Sequence, residues 1–392
     1  MEPEAEGGLH VLLVTHYFAE QGGGIERVAA QLATHLVRTG HRVTWAASDT
    51  CPLTESPSAA TQCVPMRAWD GIQRATGAPW PIWSLTSIWR LWSLVGKASV
   101  VHLHDCLYMG NAFAYLFARL RGRPVVVTQH VSDVPFKSPL LKIALWLAYQ
   151  SVGRLILGHA DQVVFISEVV RNDFQSRFRF HNEPRFVPNG VDSSLFVPLN
   201  GERREKLRGE LLGTFGTKTV FMFAGRFVEK KGLSALRRIA ASMPDRFFVL
   251  VGQGPIDPQT WGLENVQVVG AVTQCELARY YQAADALVLP SVGEGLPLVV
   301  QEAMSAGLPA AVSSRTARAD STVSACLLHA PCTDELDEDA VVDRWIALLD
   351  SFDRETSSSE ARRNEIRQVA TSRWAWERCA EQYAEIFRAL CR

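Results

Sequence analysis

A chain of 392 residues is too long for one ordinary hydrophobic core and points to two domains. Its 47% hydrophobic and 21% charged residues describe a globular protein, and a formal net charge of −1 argues against a nucleic-acid binder. Eight cysteines form no C-x-x-C pair and no zinc spacing, which suits a reducing compartment. The start, Met1-Glu-Pro-Glu-Ala-Glu-Gly-Gly8, lacks the basic and apolar regions of a signal peptide, and no apolar run reaches spanning length. A cytoplasmic location is the expectation.

Residues 11–14 read as a short apolar strand, followed by the loop Gly22-Gly23-Gly24 and an amphipathic helix over about 25–38 that Gly40 ends. Strands follow at 41–47 and 100–104, a helix at 110–121, a strand at 124–129, a long helix near 140–159 and a strand at 162–166. Strands alternating with helices build a parallel, doubly wound sheet. Turn formers at 185–192 and 196–198 mark a seam, and a charged helix at 201–212 leads into a second series. Strands are expected there at 219–224, 247–251, 266–269, 286–289 and 310–313. The acidic stretch 334–339 should precede a helix, 355–360 reads as a polar break, and 374–390 is amphipathic and aromatic. The fold class is therefore α/β, with Rossmann-like domains over 1–190 and 191–373.

The richest segment is 291–309, which sets Glu294 and Glu302 eight residues apart around a strand-to-helix turn made by Gly293, Gly295 and Pro297. Glu294 falls in the loop and Glu302 on the second helical turn, so both carboxylates can face one crevice. After 219–224 comes Gly225-Arg226, then Lys230-Lys231-Gly232, a guanidinium and an ammonium around one loop. That suits a diphosphate clamp, against the plainer reading of a solvated basic loop. Gly252 and Gly254 follow another strand, where glycine lets a flat base approach the backbone.

In the first half, Gly23 and Gly24 offer backbone N–H groups near a helix N-terminus, an anion nest or else a flexible turn. The spacing is neither G-x-G-x-x-G nor a P-loop. His130 follows a strand at the ligand-bearing edge, placed to bond a sugar hydroxyl or to steady positive charge with its carbonyl. His102 and His104 share one face of a strand without a third metal ligand, and read as packing or supporting residues. Asp105 is placed to orient a neighbour. No G-x-S-x-G elbow suggests an acyl-enzyme.

Taken in order, the glycine loop, Thr128-Gln-His130, Phe165-Ile-Ser-Glu168, Val187-Pro-Asn-Gly-Val-Asp192, Gly225-Arg226 with Lys231-Gly232, Val251-Gly-Gln-Gly254 and the two-glutamate segment form a set. With it the chain resembles the retaining glycosyltransferases of the GT-B fold, the group 1 / family 4 sugar-nucleotide transferases. The resemblance implies two Rossmann-like domains facing a central cleft, with residues 374–392 returning to the first. It implies that Arg226 and Lys231 bind the donor diphosphate, Glu294 the donor sugar and Glu302 the ribose hydroxyls. His130 then lies beside the transferred sugar and the glycine loop near the phosphates, with Gly252, Gly254, Gly295 and Leu296 in the donor-binding set. The resemblance implies a nucleotide diphosphate sugar as donor, with no metal and no further cofactor. The acceptor is a glycan, a lipid-linked sugar or a small molecule, as in cell-surface polysaccharide or glycolipid biosynthesis. One departure stands out: the family commonly has a glycine pair beyond the strand after Pro309, where this chain has Ser313-Ser-Arg-Thr-Ala-Arg-Ala-Asp320.

Trp80, Trp83, Trp89, Trp92 and the apolar stretch 137–154 with Trp146 mix aromatic and basic residues. Core packing is the favoured reading, and peripheral contact with a membrane the alternative. Rival functions are a non-catalytic sugar-nucleotide-binding partner subunit and a nucleotide-sugar epimerase. The epimerase would need committed proton-transfer groups, and no matching set is visible.

Overall fold

The computed structural model describes residues 8–21, 23–51, 53, 56–76, 80–130, 139–292, 294–330 and 337–392. Gly22, Gly293, the start of the apolar stretch at Lys137 and the acidic residues 334–336 lie outside them. The chain divides into two compact units, Met1–Gly190 with Trp376–Arg392, and Val191–Ala375.

In the first unit the strands are β1 (His10–Val14), β2 (Arg42–Ser48), β3 (Thr61–Met66), β4 (Ala68–Trp69), β5 (Ile82–Trp83), β6 (Val100–His104), β7 (Val125–Gln129), β8 (Gln162–Phe165) and β9 (Arg185–Phe186). A parallel sheet runs β3-β2-β1-β6-β7-β8-β9, and β4 and β5 pair as an antiparallel ribbon. Helices cover both faces of such a sheet, so its central strands are apolar throughout rather than alternating. Val11, Leu12, Leu13 and Val14 are all fully buried. The helix Gly24–Arg38 starts from an extended Gly23 and lays Val28, Ala29, Leu32, Ala33 and Leu36 into the core at helical spacing. The helix Trp376–Leu390 covers this unit as well. It buries Trp376, Cys379, Ala380, Tyr383 and Phe387, and the Tyr383 hydroxyl lies 2.9 Å from Thr128 Oγ1.

The second unit carries β10 (Val220–Ala224), β11 (Phe247–Val251), β12 (Val266–Val269), β13 (Ala286–Leu289), β14 (Ala310–Ser313) and β15 (Leu328–Ala330), all parallel, in the order β12-β11-β10-β13-β14-β15. In both units the order reverses beside the first strand, between β1 and β6 and between β10 and β13. Ligands of open α/β sheets bind beyond the strand ends at that reversal. The second reversal is pinned by Asp285, a fully buried carboxylate just before β13. It accepts from Arg204 at 2.5 Å, Arg208 at 3.1 Å and the Val220 N–H at 2.8 Å, while its own N–H donates to the Val220 carbonyl at 2.8 Å.

Several expectations need correction. β3, β9, β15 and the β4–β5 ribbon have no counterpart in the sequence reading, because they are short or, in β3, polar, proline-bearing and at the sheet edge. The long helix is interrupted by a π-helical turn, Tyr149–Gly153, between Pro139–Ala148 and Arg154–His159. Its apolar residues do not all enter the core: Ile143, Trp146, Leu147 and Leu155 are exposed, as is Trp89 at 74%, whereas Trp83 is buried. Residues 355–360 are not a simple break, since Asp353 caps the helix Arg354–Ser357 and Glu360 opens Glu360–Trp374. Trp374 belongs to that helix, and extended Ala375 separates it from Trp376–Leu390.

Candidate functional site

At the reversal of the second sheet, β10 leads into a loop that folds onto two neighbours. Gly225 N–H donates to the Val251 carbonyl at 3.0 Å and Phe227 N–H to the Gln253 carbonyl at 2.9 Å. The chain then makes the 3₁₀ turn Glu229–Lys231 and closes it with Gly232 at φ 77°. A Cβ on Gly232 would lie 2.2 Å from the Pro290 carbonyl oxygen, and Val292 N–H donates to the Lys230 carbonyl at 2.9 Å. The turn after β10 is thereby stitched to the exit of β13. This brings Lys231 Nζ to 2.6 Å from Glu294 Oε1, with the two side chains only 18% and 16% exposed. Glu294 Oε2 and Ser291 Oγ are buried without a hydrogen-bond partner among the described residues. Burial and the adjacent Lys231 hold the Lys230 ammonium below the usual lysine range, against the pull of Glu294. Arg226 projects into solvent.

The other expected residues are placed differently. Glu302 sits on the second turn of the helix Leu298–Ser305, buried, and accepts from the Tyr281 hydroxyl at 3.0 Å. Leu296 is a core residue, which leaves its backbone and that of Gly295 as the groups able to meet a ligand. Gly252 and Gly254 each stand against a neighbouring loop. A Cβ at 252 would lie 1.9 Å from the Gly225 carbonyl oxygen, and one at 254 would lie 2.4 Å from that of Phe227. Here glycine admits the chain's own neighbouring loop. Where the resemblance implies a glycine pair, Ser313 caps a short helix, Ser314–Ala317, and Ser314 Oγ donates to the Ala330 carbonyl at 2.6 Å.

At the reversal of the first sheet, histidines gather at the strand ends. His130, just past β7, has Nε2 at 2.9 Å from Nδ1 of His104, the last residue of β6. The rings stack at 5.1 Å and 14°. His130 N–H donates to Asp105 Oδ1 at 2.9 Å, so the neighbour that Asp105 orients is His130. His102 Nε2 meets Thr128 Oγ1 at 2.7 Å, a packing role as expected. His16, two residues past β1, stacks on Tyr108 and reaches Glu26 Oε1 at 3.1 Å. Burial drives His16, His102 and His130 down to about 3 and His104 well below its ordinary value, and lifts Glu26 to about 7. Near neutral pH the His16 ring is accordingly neutral, while Glu26 is divided between its neutral and charged forms. A Cβ on Gly23 would lie 2.0 Å from Glu26 Oε2, whereas beside Gly24 nothing comes within 4 Å. The side of the nest at Gly23 thus already holds a carboxyl group.

Sequence reasoning did not single out Tyr281, Ser291, Asp285, His16 or Glu26. His16 was reachable by the rule that found His130, since both stand just past a central strand. Tyr281 and Asp285 gave no signal, because their partners lie on other elements.

The Glycosyltransferase Family 4 model matches residues 22–195, and the Glycosyl transferases group 1 model matches residues 218–351. The UDP-Gal:alpha-D-GlcNAc-diphosphoundecaprenol alpha-1,3-galactosyltransferase of Escherichia coli is 30% identical over 253 residues, 59% of this chain and 61% of that protein. The GDP-mannose-dependent alpha-(1-6)-phosphatidylinositol monomannoside mannosyltransferase of Mycolicibacterium smegmatis is 26% identical over 337 residues, 80% of this chain and 82% of that protein. The chain spans 58%, 61% and 51% of the length of three curated relatives, each 30% identical to it. Among solved structures, sucrose-phosphate synthase from Thermosynechococcus elongatus superposes with a TM-score of 0.72 at 20% identity, covering 97% of this chain and 99% of that one. Anabaena HepE in complex with UDP-glucose gives 0.70 at 16% identity, covering 97% and 100%. These are likenesses of fold, and the fold is GT-B, as the motifs imply.

Proposed function

Because the chain belongs to the group 1 / family 4 glycosyltransferases, we propose that it moves a hexose-type sugar, with retention, from a nucleotide diphosphate sugar to a glycan, lipid-linked or small-molecule acceptor. Cell-surface polysaccharide or glycolipid biosynthesis is the setting this reading favours, in line with the GlcNAc-diphosphoundecaprenol and phosphatidylinositol monomannoside acceptors named for two relatives. The observation that carries the reading is the Lys231–Glu294 pair at the β10/β13 reversal, with Glu294 Oε2 buried and unpartnered beside it.

In this reading the donor diphosphate takes Lys231 from Glu294, and the exposed Arg226 folds onto the same phosphates. Glu294 then turns its carboxylate to the hydroxyls of the transferred sugar, and Glu302, steadied by Tyr281, receives the ribose. As the glycosidic bond breaks, negative charge gathers on the departing diphosphate. Lys231, Arg226 and the N–H groups near Gly295 oppose it, and losing one such donor typically costs on the order of 100-fold or more in rate. These cations supply the counter-charge that a metal provides in other transferases, so we infer metal-independent transfer. Glu294, once released by Lys231, is assigned to hydroxyl recognition rather than nucleophilic attack.

The test is a panel of UDP- and GDP-sugars, following nucleoside diphosphate release with and without acceptors, for the native chain and for Lys231→Ala and Glu294→Ala. Turnover that falls on the order of 100-fold in either variant supports the reading. Donor binding without turnover favours the non-catalytic partner subunit, and release of an isomerised nucleotide sugar favours the epimerase. Unchanged turnover in both variants rejects the site.

A membrane-facing role has its own observation. Ile143, Trp146, Leu147 and Leu155 are exposed alongside the exposed Lys142 and Arg154, and no helix among the described residues is long and apolar enough to cross a bilayer. We propose that this face touches an anionic lipid surface at the cytoplasmic side of the membrane. Co-sedimentation with vesicles containing anionic lipid should fall for Trp146→Ser, and sedimentation independent of anionic lipid rejects the contact.

A further inference from the structure

We propose that His104 and Asp105, at the end of β6, are positioning residues for His130: His104 selects the tautomer of its imidazole and Asp105 anchors its backbone. The proposal rests on the transferase reading for its kinetic consequence only.

One proton lies between His104 Nδ1 and His130 Nε2, which are 2.9 Å apart. Each neutral ring carries one N–H and one lone pair, so two arrangements exist. If His130 Nε2–H donates, His104 must carry its proton on Nε2, an atom that is buried and has no hydrogen-bond partner among the described residues. That arrangement strands an N–H donor in the interior. If His104 Nδ1–H donates instead, only a lone pair is left bare at His104 Nε2. Buried orphan donors are the rarer and costlier of the two. The second arrangement therefore prevails, and His130 holds its proton on Nδ1, leaving that nitrogen as a donor. Both rings stay neutral: burial opposes a charge on His130, and burial with the neighbouring His102, His130 and His16 opposes one on His104.

Asp105 supplies the second constraint. Its φ of 64° makes it the only non-glycine residue with positive φ among those described. Such a conformation is disfavoured for a residue with a Cβ and is held here by its surroundings. Asp105 N–H donates to the Thr128 carbonyl at 2.8 Å, and Asn111 Nδ2 donates to the Asp105 and His104 carbonyls at 2.6 and 2.7 Å. With its Oδ1 accepting the His130 N–H, the end of β6 is clamped to the end of β7. The ring and the backbone of His130 are each fixed from β6.

The decisive measurement is long-range ¹H–¹⁵N NMR of the full chain with ¹⁵N-labelled histidine at pH 7.5, without donor. The native protein should show His130 as the Nδ1–H tautomer. His104→Leu should shift His130 toward Nε2–H, while His104→Asn, whose amide nitrogen stands where Nδ1 was, should keep the native signature. On the nucleotide sugar that turns over in the panel, His104→Leu should lose on the order of 10-fold or more in kcat with KM little changed. His104→Asn should recover most of that loss. A native His130 protonated on Nε2, an unaltered His130 signal in His104→Leu, an unaltered kcat in His104→Leu, or equal losses in both variants overturns the proposal. If no donor turns over, the transferase reading fails while the tautomer is still decided by the spectrum.

Discussion

Lys231 reaches Glu294 because a single residue lets the backbone turn sharply against Pro290. Gly232 stands at φ 77°, and any Cβ there would collide with the Pro290 carbonyl oxygen at 2.2 Å. Gly232→Ala should therefore destabilise the protein by about 1–3 kcal/mol and weaken binding of UDP or GDP. Gly270→Ala, where a Cβ meets nothing within 4 Å, should leave both within error. Urea unfolding and nucleotide titration check the pair, and equal behaviour of the two variants contradicts the stitching of the turn. The histidine array makes a second prediction. His16, His102 and His130 titrate near 3 in the folded state against an ordinary 6.5, so the unfolded chain binds protons that the folded one refuses. Their contribution is present in full above pH 6.5 and is lost as pH falls below it, by about 1 kcal/mol per pH unit for each group. Glu26, raised from 4.5 to about 7, acts oppositely and loses its contribution as pH rises through that window. Three groups outweigh one, so the urea midpoint should fall between pH 7 and pH 5; a midpoint that holds or rises contradicts the assignment.

Strands and helices carry these residues to their places, and most were legible from pattern. Parallel strands buried on both faces announce themselves as apolar runs, and β1, β6, β10, β11 and β13 stand where the runs are. Edge strands announce less: β3 mixes Thr61, Gln62 and Pro65 with apolar residues, and nothing in that pattern separates it from a loop. Apolar content also fails to tell a core helix from an exposed one, as Trp146 shows at 59% exposure. The joint between β10 and β13 was not legible either. It depends on Asp285, whose partners Arg204 and Arg208 lie on the helix Gly201–Leu212. Asp285→Ala would leave those guanidinium groups buried without their carboxylate and the Val220 N–H without its acceptor. A loss of about 3–5 kcal/mol in urea unfolding is expected, with nucleotide binding weakened because the same joint aligns Lys231 and Glu294. A loss below about 1 kcal/mol contradicts the pinning role.

For the whole molecule, the C-terminal helix ties the ends of the chain together. Trp376–Leu390 belongs to the first unit although 185 residues of the second, Val191–Ala375, come between. Trp376 fills the space beside Gly190, where a Cβ would lie 2.2 Å from its ring, and Tyr383 completes the chain of contacts from Thr128 to His102. Removing residues 376–392 should expose the helix Gly24–Arg38 and the neighbourhood of His102, and leave the second unit folded. Hydrogen exchange should then rise throughout the first sheet and stay unchanged over β10–β14; a uniform rise, or none, contradicts the division. Local periodicity and turn chemistry were sufficient for the alternation of elements, the α/β class and the family motifs, because those depend on residues within one or two turns of each other. The pairs that make the sites work were decided in the folded chain. Lys231 with Glu294, Glu302 with Tyr281 and His104 with His130 each join elements that only the strand order brings side by side, and burial, which no short window of sequence reports, keeps the two histidines neutral.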